Sequence, residues 1–240
     1  MILKRLAHPL AKEKKKAKYT VAPRGPHPLE RSIALAVLIR DYLGFAETYK
    51  EVKKIIKKGE ILVDGRVIKD HKFGVGVFDV VEIPKMNKAY RILPRGKKLL
   101  PVEIDESEKR LKICKIIGKR AVKGGRIQFN LHDGRNILGE NTYNTQDSLL
   151  IEVPSQKIVK HIPFKEGVLC FIFAGKNAGK MGKIVKIERG WKLNRVFIEG
   201  EESFWAPFKN IIVVGEDKPL IKVWNYAEPD ERNKNRKSHA

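Results

Sequence analysis

Apolar and polar positions follow different spacings along this chain, and each change of spacing marks a new kind of element. Residues 29–43 are apolar nearly all round, through Ile33, Leu35, Val37, Leu38, Ile39 and Leu43. The pattern predicts a buried helix, with Pro28 suited to its first position and Gly44 to its stop. Thr48 to Lys58 predicts a second helix with two faces. Lys50, Lys53, Lys54, Lys57 and Lys58 fall within about 140° of arc, and Val52, Ile55 and Ile56 lie opposite them. Glu47 and Glu51 sit at its start, where the helix dipole favours acids, and Gly59 ends it. The period then shortens. Ile61–Val63 leads into Asp64-Gly65, a favoured hairpin turn, and on into Val67-Ile68, while Gly76–Ile83 reads as one further strand.

Residues 108–162 read as all-β. Lys112–Ile117 is one strand, and Ile127–Leu131 alternates strictly before Asp133-Gly134 turns the chain into Asn136–Leu138. Leu149–Val153 and Lys157–Ile162 form a hairpin around Pro154-Ser155. In residues 166–215 five short strands follow, at Val168–Phe173, Lys183–Glu188, Arg195–Ile198, Ser203–Ala206 and Ile211–Val214, which suggests a small closed barrel. Residues 1–28 lack periodicity and carry many Lys and Pro, so they read as an extended arm that orders on binding. Residues 216–240 are polar, apart from Leu220, Ile221, Val223 and Trp224, a cluster able to dock on the body. The expected class is therefore α+β and multi-domain. It comprises an arm (1–28), a helix–helix–hairpin domain (29–105), a central all-β domain (106–165), a β-barrel (166–215) and a tail (216–240).

Charge narrows the partners. Fifty Lys and Arg against 28 Asp and Glu leave a net charge of +22, which attracts polyanions. The excess recurs in separate segments. The arm offers Lys14, Lys15, Lys16 and Arg24, and residues 85–98 offer Arg91, Arg95, Lys97 and Lys98 with no acid among them. A loop rimmed by Lys176, Lys180 and Lys183 carries Gly175, Gly179 and Gly182, which permit close approach to a phosphate backbone. The front of the central domain is crowded with Lys109, Arg110, Lys112, Lys115, Lys119, Arg120, Lys123 and Arg126. Positive ground in several modules argues for many-sided contact with one large nucleic acid. An anionic membrane fits poorly, because the longest apolar run, Ile33–Ile39, is far short of the ~20 residues a spanning helix needs.

Catalytic patterns are missing. The glycine loop fails as a nucleotide-binding P-loop: Gly175 to Gly179 is one residue too short, and Met181 stands where a hydroxyl would reach Mg²⁺. His132-Asp133 near Ser148 reads as a turn with a polar cap, not as part of a triad. The two cysteines, Cys114 and Cys170, read as core packing in a reducing, cytoplasmic setting. No cofactor, metal or small-molecule substrate is expected.

Four stretches, taken in order, resemble one family. They are Lys4–Ala7 with the basic arm through Ala22–His27; Glu51–Ile56 with Val63–Arg66 and Gly76–Val81; Leu111–Cys114 with His132–Arg135; and the Gly175, Gly179, Gly182 spacing of a KOW motif. Together they resemble the archaeal and eukaryotic small-subunit ribosomal proteins of the S4e family, over nearly the whole chain. The resemblance implies an S4-type RNA-binding domain and a KOW-type SH3-like barrel in a non-enzymatic constituent of the small ribosomal subunit. Its partners would be ribosomal RNA and neighbouring ribosomal proteins. It also implies RNA contact through Lys50, Lys53, Lys54, Lys57 and Arg66, and through the loop around the KOW glycines. Two other readings compete. S4-type domains also guide pseudouridine synthases, but the matching string here is Arg110-Leu111-Lys112, which lacks the catalytic Asp, and no sizeable α/β domain follows. A transcription factor bearing a KOW module is the third.

Overall fold

In the computed structural model, which describes residues 2–5, 8, 10, 18–191 and 193–223, the apolar residues build three antiparallel five-stranded sheets and two two-stranded ladders. The arm contributes the first ladder, in which β1 (Ile2–Lys4) pairs with β2 (Tyr19–Val21). Lys14, Lys15 and Lys16 lie outside the described residues.

The stretch expected to be one helix over residues 29–43 is three elements. Leu29–Arg31 is a 3-10 turn, Ser32–Ala34 is strand β3, and only Leu35–Tyr42 is helical, as α1 (Leu35–Val37) followed by a wider π-turn. The reason lies downstream. β3 pairs with β6 (Gly74–Gly76), where the missing side chain of Gly74 admits the arm: a Cβ there would lie 3.2 Å from Pro23 Cβ. Uniform apolarity reported burial correctly, since Ile33, Leu35, Leu38 and Ile39 are all buried, but it does not distinguish strand from helix.

The second helix, α2 (Tyr49–Lys57), matches its expected span and face, with Val52 and Ile56 fully buried. After it, β4 (Leu62–Val63) and β5 (Arg66–Val67) form the Asp64-Gly65 hairpin, both turn residues having positive φ. Gly76–Ile83 is not one strand. The Asp79 carboxylate accepts the Gly76 N–H at 2.8 Å, Phe78 takes φ +66°, and pairing resumes only in β7 (Val80–Ile83). The basic stretch noticed only for its charge forms the long hairpin of β8 (Lys88–Arg95) and β9 (Lys98–Ile104), completing a sheet of order β5-β4-β7-β8-β9.

The next sheet is built on β10 (Leu111–Ala121), whose first half pairs with β13 (Ser148–Glu152) and whose second half pairs with β11 (Ile127–Leu131) across a bulge at Ile116/Gly118. With β12 (Asn136–Gly139) and β14 (Ile158–Ile162) its order is β12-β11-β10-β13-β14. The last sheet contains β15 (Leu169–Ile172), β16 (Met181–Arg189), β17 (Asn194–Gly200), β18 (Phe204–Pro207) and β19 (Ile211–Gly215), in the order β18-β17-β16-β15-β19. All five strands expected in this stretch are present, with shifted ends.

One apolar core crosses these stretches. Phe78 from the turn before β7, Ile92 and Leu93 from the first sheet, Ile113 and Leu150 from the second, and Phe171, Ile212 and Val214 from the third pack in a single cluster. Ile221 and Val223 of the tail join it, as their apolarity suggested, while Trp224 lies outside the described residues. The sheets are thereby held in fixed relation, and so is the charge they carry.

Candidate nucleic-acid interface

The first basic surface is the outer face of α2. Its start is defined by a capping box, in which the Glu51 N–H donates to Thr48 Oγ1 at 3.3 Å and the Thr48 N–H donates to Glu51 Oε2 at 3.3 Å. Burial of Val52 and Ile56 on the inner face then turns Lys50, Lys54 and Lys57 out to solvent, with Lys53 half-buried beside the Tyr49 ring. Arg66 on β5 and Arg24 on the arm are also exposed.

A second surface joins segments far apart in the chain. The glycine loop between β15 and β16 sits on the turn of the β8–β9 hairpin, where the Gly96 N–H donates to the Ala178 carbonyl at 2.8 Å. Gly179, at φ +94°, is what permits this seat: a Cβ there would lie 2.7 Å from the Pro94 carbonyl oxygen. Between loop and hairpin opens a cleft of about 720 Å³. Arg31, Lys97, Lys98, Lys176 and Lys209 line it against one carboxylate, Glu30, over an apolar floor that includes Val77 and Phe173. The Arg31 guanidinium lies 5.2 Å from the Phe173 ring centre. Five cations on a low-dielectric wall focus positive potential into the cleft, which suits a phosphate-bearing strand.

The residues expected to contact nucleic acid separate into groups. Arg95, Lys97, Lys98, Gly175, Lys176 and Gly179 come together around the cleft. Lys180, at the end of the loop, pairs with Glu202, and Lys183, on β16, pairs with Asp217 (2.9 Å). Arg91 is a correction. Its side chain is fully buried, and it donates to Glu108 Oε2 (2.7 Å) and to the carbonyls of Lys222 (3.0 Å), Leu111 (3.0 Å) and Glu108 (3.2 Å). It ties β8 to the start of β10 and to the tail, so it presents nothing to a surface ligand. Arg31 and Lys209 belong to the cleft but were missed, because neither stands in a basic run.

Lys112 and Lys115, expected among the cations crowding the front of the second sheet, are internal as well. Lys112 Nζ lies 2.7 Å from Asp64 Oδ2, 2.5 Å from Asp79 Oδ1 and 3.0 Å from Asp133 Oδ2. Arg135 reaches Asp64 at 2.6 Å and His27 reaches Asp79 at 3.0 Å. Three buried carboxylates thus face Lys112, Arg135 and His27, a balanced set when His27 is protonated. Burial opposes the Lys112 charge, but the three carboxylates more than offset it and hold its pKa well above the ordinary value. Burial likewise opposes the Asp79 charge, yet Lys112 and His27 hold that carboxyl well below its usual range. The network locks the first sheet, through Asp64 and Asp79 in the turns beside it, onto the second sheet. Lys115 differs. Burial, and then the Arg31 charge, bring it down to about 7, and its Nζ donates to the Phe208 (2.5 Å) and Ile211 (2.8 Å) carbonyls. His132-Asp133 is the structural turn its sequence suggested: His132 Nδ1 accepts from the Lys115 N–H at 3.2 Å, and Ser148 Oγ accepts from Val213 N–H at 3.1 Å.

The chain is similar to known proteins over most of its length. The model of ribosomal family S4e matches residues 86–158, and that of the S4 domain matches residues 35–81. The chain is 43% identical over 239 residues to small ribosomal subunit protein eS4 of Ignicoccus hospitalis, covering 92% of this chain and 94% of that one. It is 46% identical over 218 residues to the eS4 protein of Archaeoglobus fulgidus, covering 88% and 92%. Its fold is similar to the crystal structure of the 30S ribosomal protein S4e from Thermoplasma acidophilum. The TM-score is 0.69 at 30% identity, over 78% of this chain and 96% of that one.

Proposed function

Because this chain belongs to ribosomal family S4e, we infer that it is a structural constituent of the small ribosomal subunit that binds ribosomal RNA and catalyses no reaction. Its work is electrostatic and steric. Lysines and arginines replace condensed counterions on the RNA backbone, and rigid sheets fix the shape of the RNA they touch. The observation that carries this reading is the cleft, where the β8–β9 hairpin, the glycine loop, Arg31 and Lys209 bring five cations to one place around a single carboxylate. The outer face of α2, with Lys50, Lys54, Lys57 and the half-buried Lys53, supplies a second contact, joined by Arg24 and Arg66.

In the same reading the five strands of the C-terminal sheet form a KOW-type SH3-like barrel, with Gly175, Gly179 and Gly182 as its motif. Lys14, Lys15 and Lys16 extend contact along the RNA, neighbouring ribosomal proteins cover part of the remaining surface, and the particle is cytoplasmic. The division at residues 28, 105, 165 and 215 is the one we assign to these parts.

Filter binding to purified small-subunit ribosomal RNA across a salt series tests the proposal. Affinity should fall steeply with salt. Replacing Lys97, Lys98 and Lys176 together by Gln should lower the slope of log K against log salt by about 1 per contacting residue. A flat wild-type response would refute RNA binding by this mechanism, and an unchanged slope in the triple variant would remove the cleft from it.

A further inference from the structure

The arm and the S4-like unit enclose a second cavity, distinct from the cleft. It measures about 450 Å³ and lies between β2, the helical segment after β3, and α2. That volume is within the range of about 300–1,000 Å³ that suits a small ligand or one part of a larger one. Its walls are aromatic. Tyr19 on β2 is half exposed, and Tyr49, the first residue of α2, meets His71 edge-on with ring centres 5.6 Å apart. Ala36 and Val37, both buried, close the back. Its rim is cationic: Lys53 Nζ lies 5.7 Å from the Tyr49 ring centre, Lys18 Nζ lies 5.4 Å from that of Tyr19, and Lys72 is on the lining.

We propose that this cavity receives one unstacked nucleobase of the ribosomal RNA, stacked on Tyr19 with Tyr49 and His71 at its edge, while Lys53 and Lys72 hold the flanking phosphates. The inference rests on the RNA-binding reading above and adds to it a single-nucleotide subsite. Each part of the cavity matches one part of a nucleotide. Aromatic faces suit a base, which stacks without regard to its identity. A neutral imidazole can bond a base edge through one ring nitrogen: His71 Nδ1 lies 3.7 Å from Asp70 Oδ1, which leaves Nε2 for the base, and burial followed by the nearby Lys53 lowers the His71 pKa, keeping the ring neutral at pH 7. The ammonium rim suits phosphate, and it continues into the basic face of α2 along which the strand would arrive. An apolar protein segment would leave those ammonium groups without anions.

Stacking and counterion release separate in one experiment. Wild type, Tyr19→Ala and Tyr19→Phe are titrated with purified small-subunit ribosomal RNA at several salt concentrations. The proposal expects Tyr19→Ala to bind about 5- to 150-fold more weakly at every salt, with an unchanged salt slope, because a stacked ring releases no counterion. Tyr19→Phe should bind as wild type does. Equal affinity for wild type and Tyr19→Ala would overturn the proposal while leaving RNA binding intact, whereas a wild-type affinity indifferent to salt would overturn the RNA reading itself. Short-wavelength crosslinking of intact wild-type small subunits gives a check that needs no variant. A nucleotide joined to the peptide holding Tyr19 or to that holding Tyr49 supports the subsite. Crosslinks to RNA only elsewhere on the chain, or a protein neighbour joined at Tyr19, refute it.

Discussion

Replacing Lys112 by Met tests the buried ion network most directly. The lysine is 1% exposed and its ammonium lies within 3.0 Å of three carboxylates, which leaves no room for water to take its place. Methionine is of similar length and apolar, so the substitution removes charge and hydrogen bonds while opening little space. Breaking a buried ion pair from one side costs about 3–5 kcal/mol, because the charge left behind is uncompensated. Here Asp79 keeps His27, Asp64 keeps Arg135, and Asp133 has Arg135 Nε at 3.5 Å, so the loss belongs within that range rather than at three times its value. For a chain of this length the range corresponds to a melting temperature lower by roughly 6–20 °C. Urea unfolding and calorimetry at pH 7 read it directly. The deficit also has a pH signature. Burial already holds the Asp64 carboxyl above its ordinary value, and Lys112 is the largest charge opposing burial at all three carboxyls, so without it their pKa values rise and the variant regains stability relative to wild type as acid protonates them. The gap between variant and wild type should therefore narrow as the pH falls from 7 toward about 4. A loss below about 1 kcal/mol, or a gap that stays constant as the pH falls, would refute the network as the lock between the two sheets.

Two further outcomes follow from the same structure. His27 is raised above its unfolded value of about 6.5: burial opposes its charge, but the Asp79 charge and hydrogen bond outweigh it. Its stabilisation is complete below pH about 6.5 and disappears as the pH climbs through the raised folded value, so the difference in urea midpoint between wild type and His27→Gln should shrink from pH 6 to pH 9; a constant difference would refute the ion pair. Gly179→Ala puts a Cβ 2.7 Å from the Pro94 carbonyl at φ +94°, whereas at Gly175 (φ +90°) the neighbour is the movable Asn210 side-chain amide, so Gly179→Ala should lose more of the order of 1–3 kcal/mol at stake than Gly175→Ala, and equal losses by urea unfolding would contradict the seat described for the loop.

The basic residues show where reading the chain succeeds and where it stops. On α2 the helical period alone places the lysines outside, because Val52 and Ile56 must turn inward and everything opposite them turns out. In strands the period of two says which residues share a face but not which face meets another sheet. Arg91 on β8 and Lys112 and Lys115 on β10 look like their exposed neighbours in composition, yet each lies on a face that a second sheet covers. Burial of Asp64, Asp79 and Asp133 is equally invisible locally, since all three stand in or beside turns, where acids are commonplace. The cleft could be anticipated only as two separate basic stretches. Their meeting, and the recruitment of Arg31 and Lys209, depends on how the glycine loop seats on the hairpin.

By itself the amino-acid order determined what local forces control: the caps and faces of α2, the Asp64-Gly65 and Asp133-Gly134 turns, the alternation of most strands, the order of motifs that marks the family, and a charge that calls for a polyanion. Tertiary structure alone decided which cations face solvent and which are spent inside, that residues 32–34 form a strand, and that one apolar cluster joins all three sheets. The physical reason is range. Capping, periodicity and turn chemistry act over a few residues and are written in the residues themselves, whereas burial and ion pairing depend on partners dozens of positions away, which only the packed chain brings within reach.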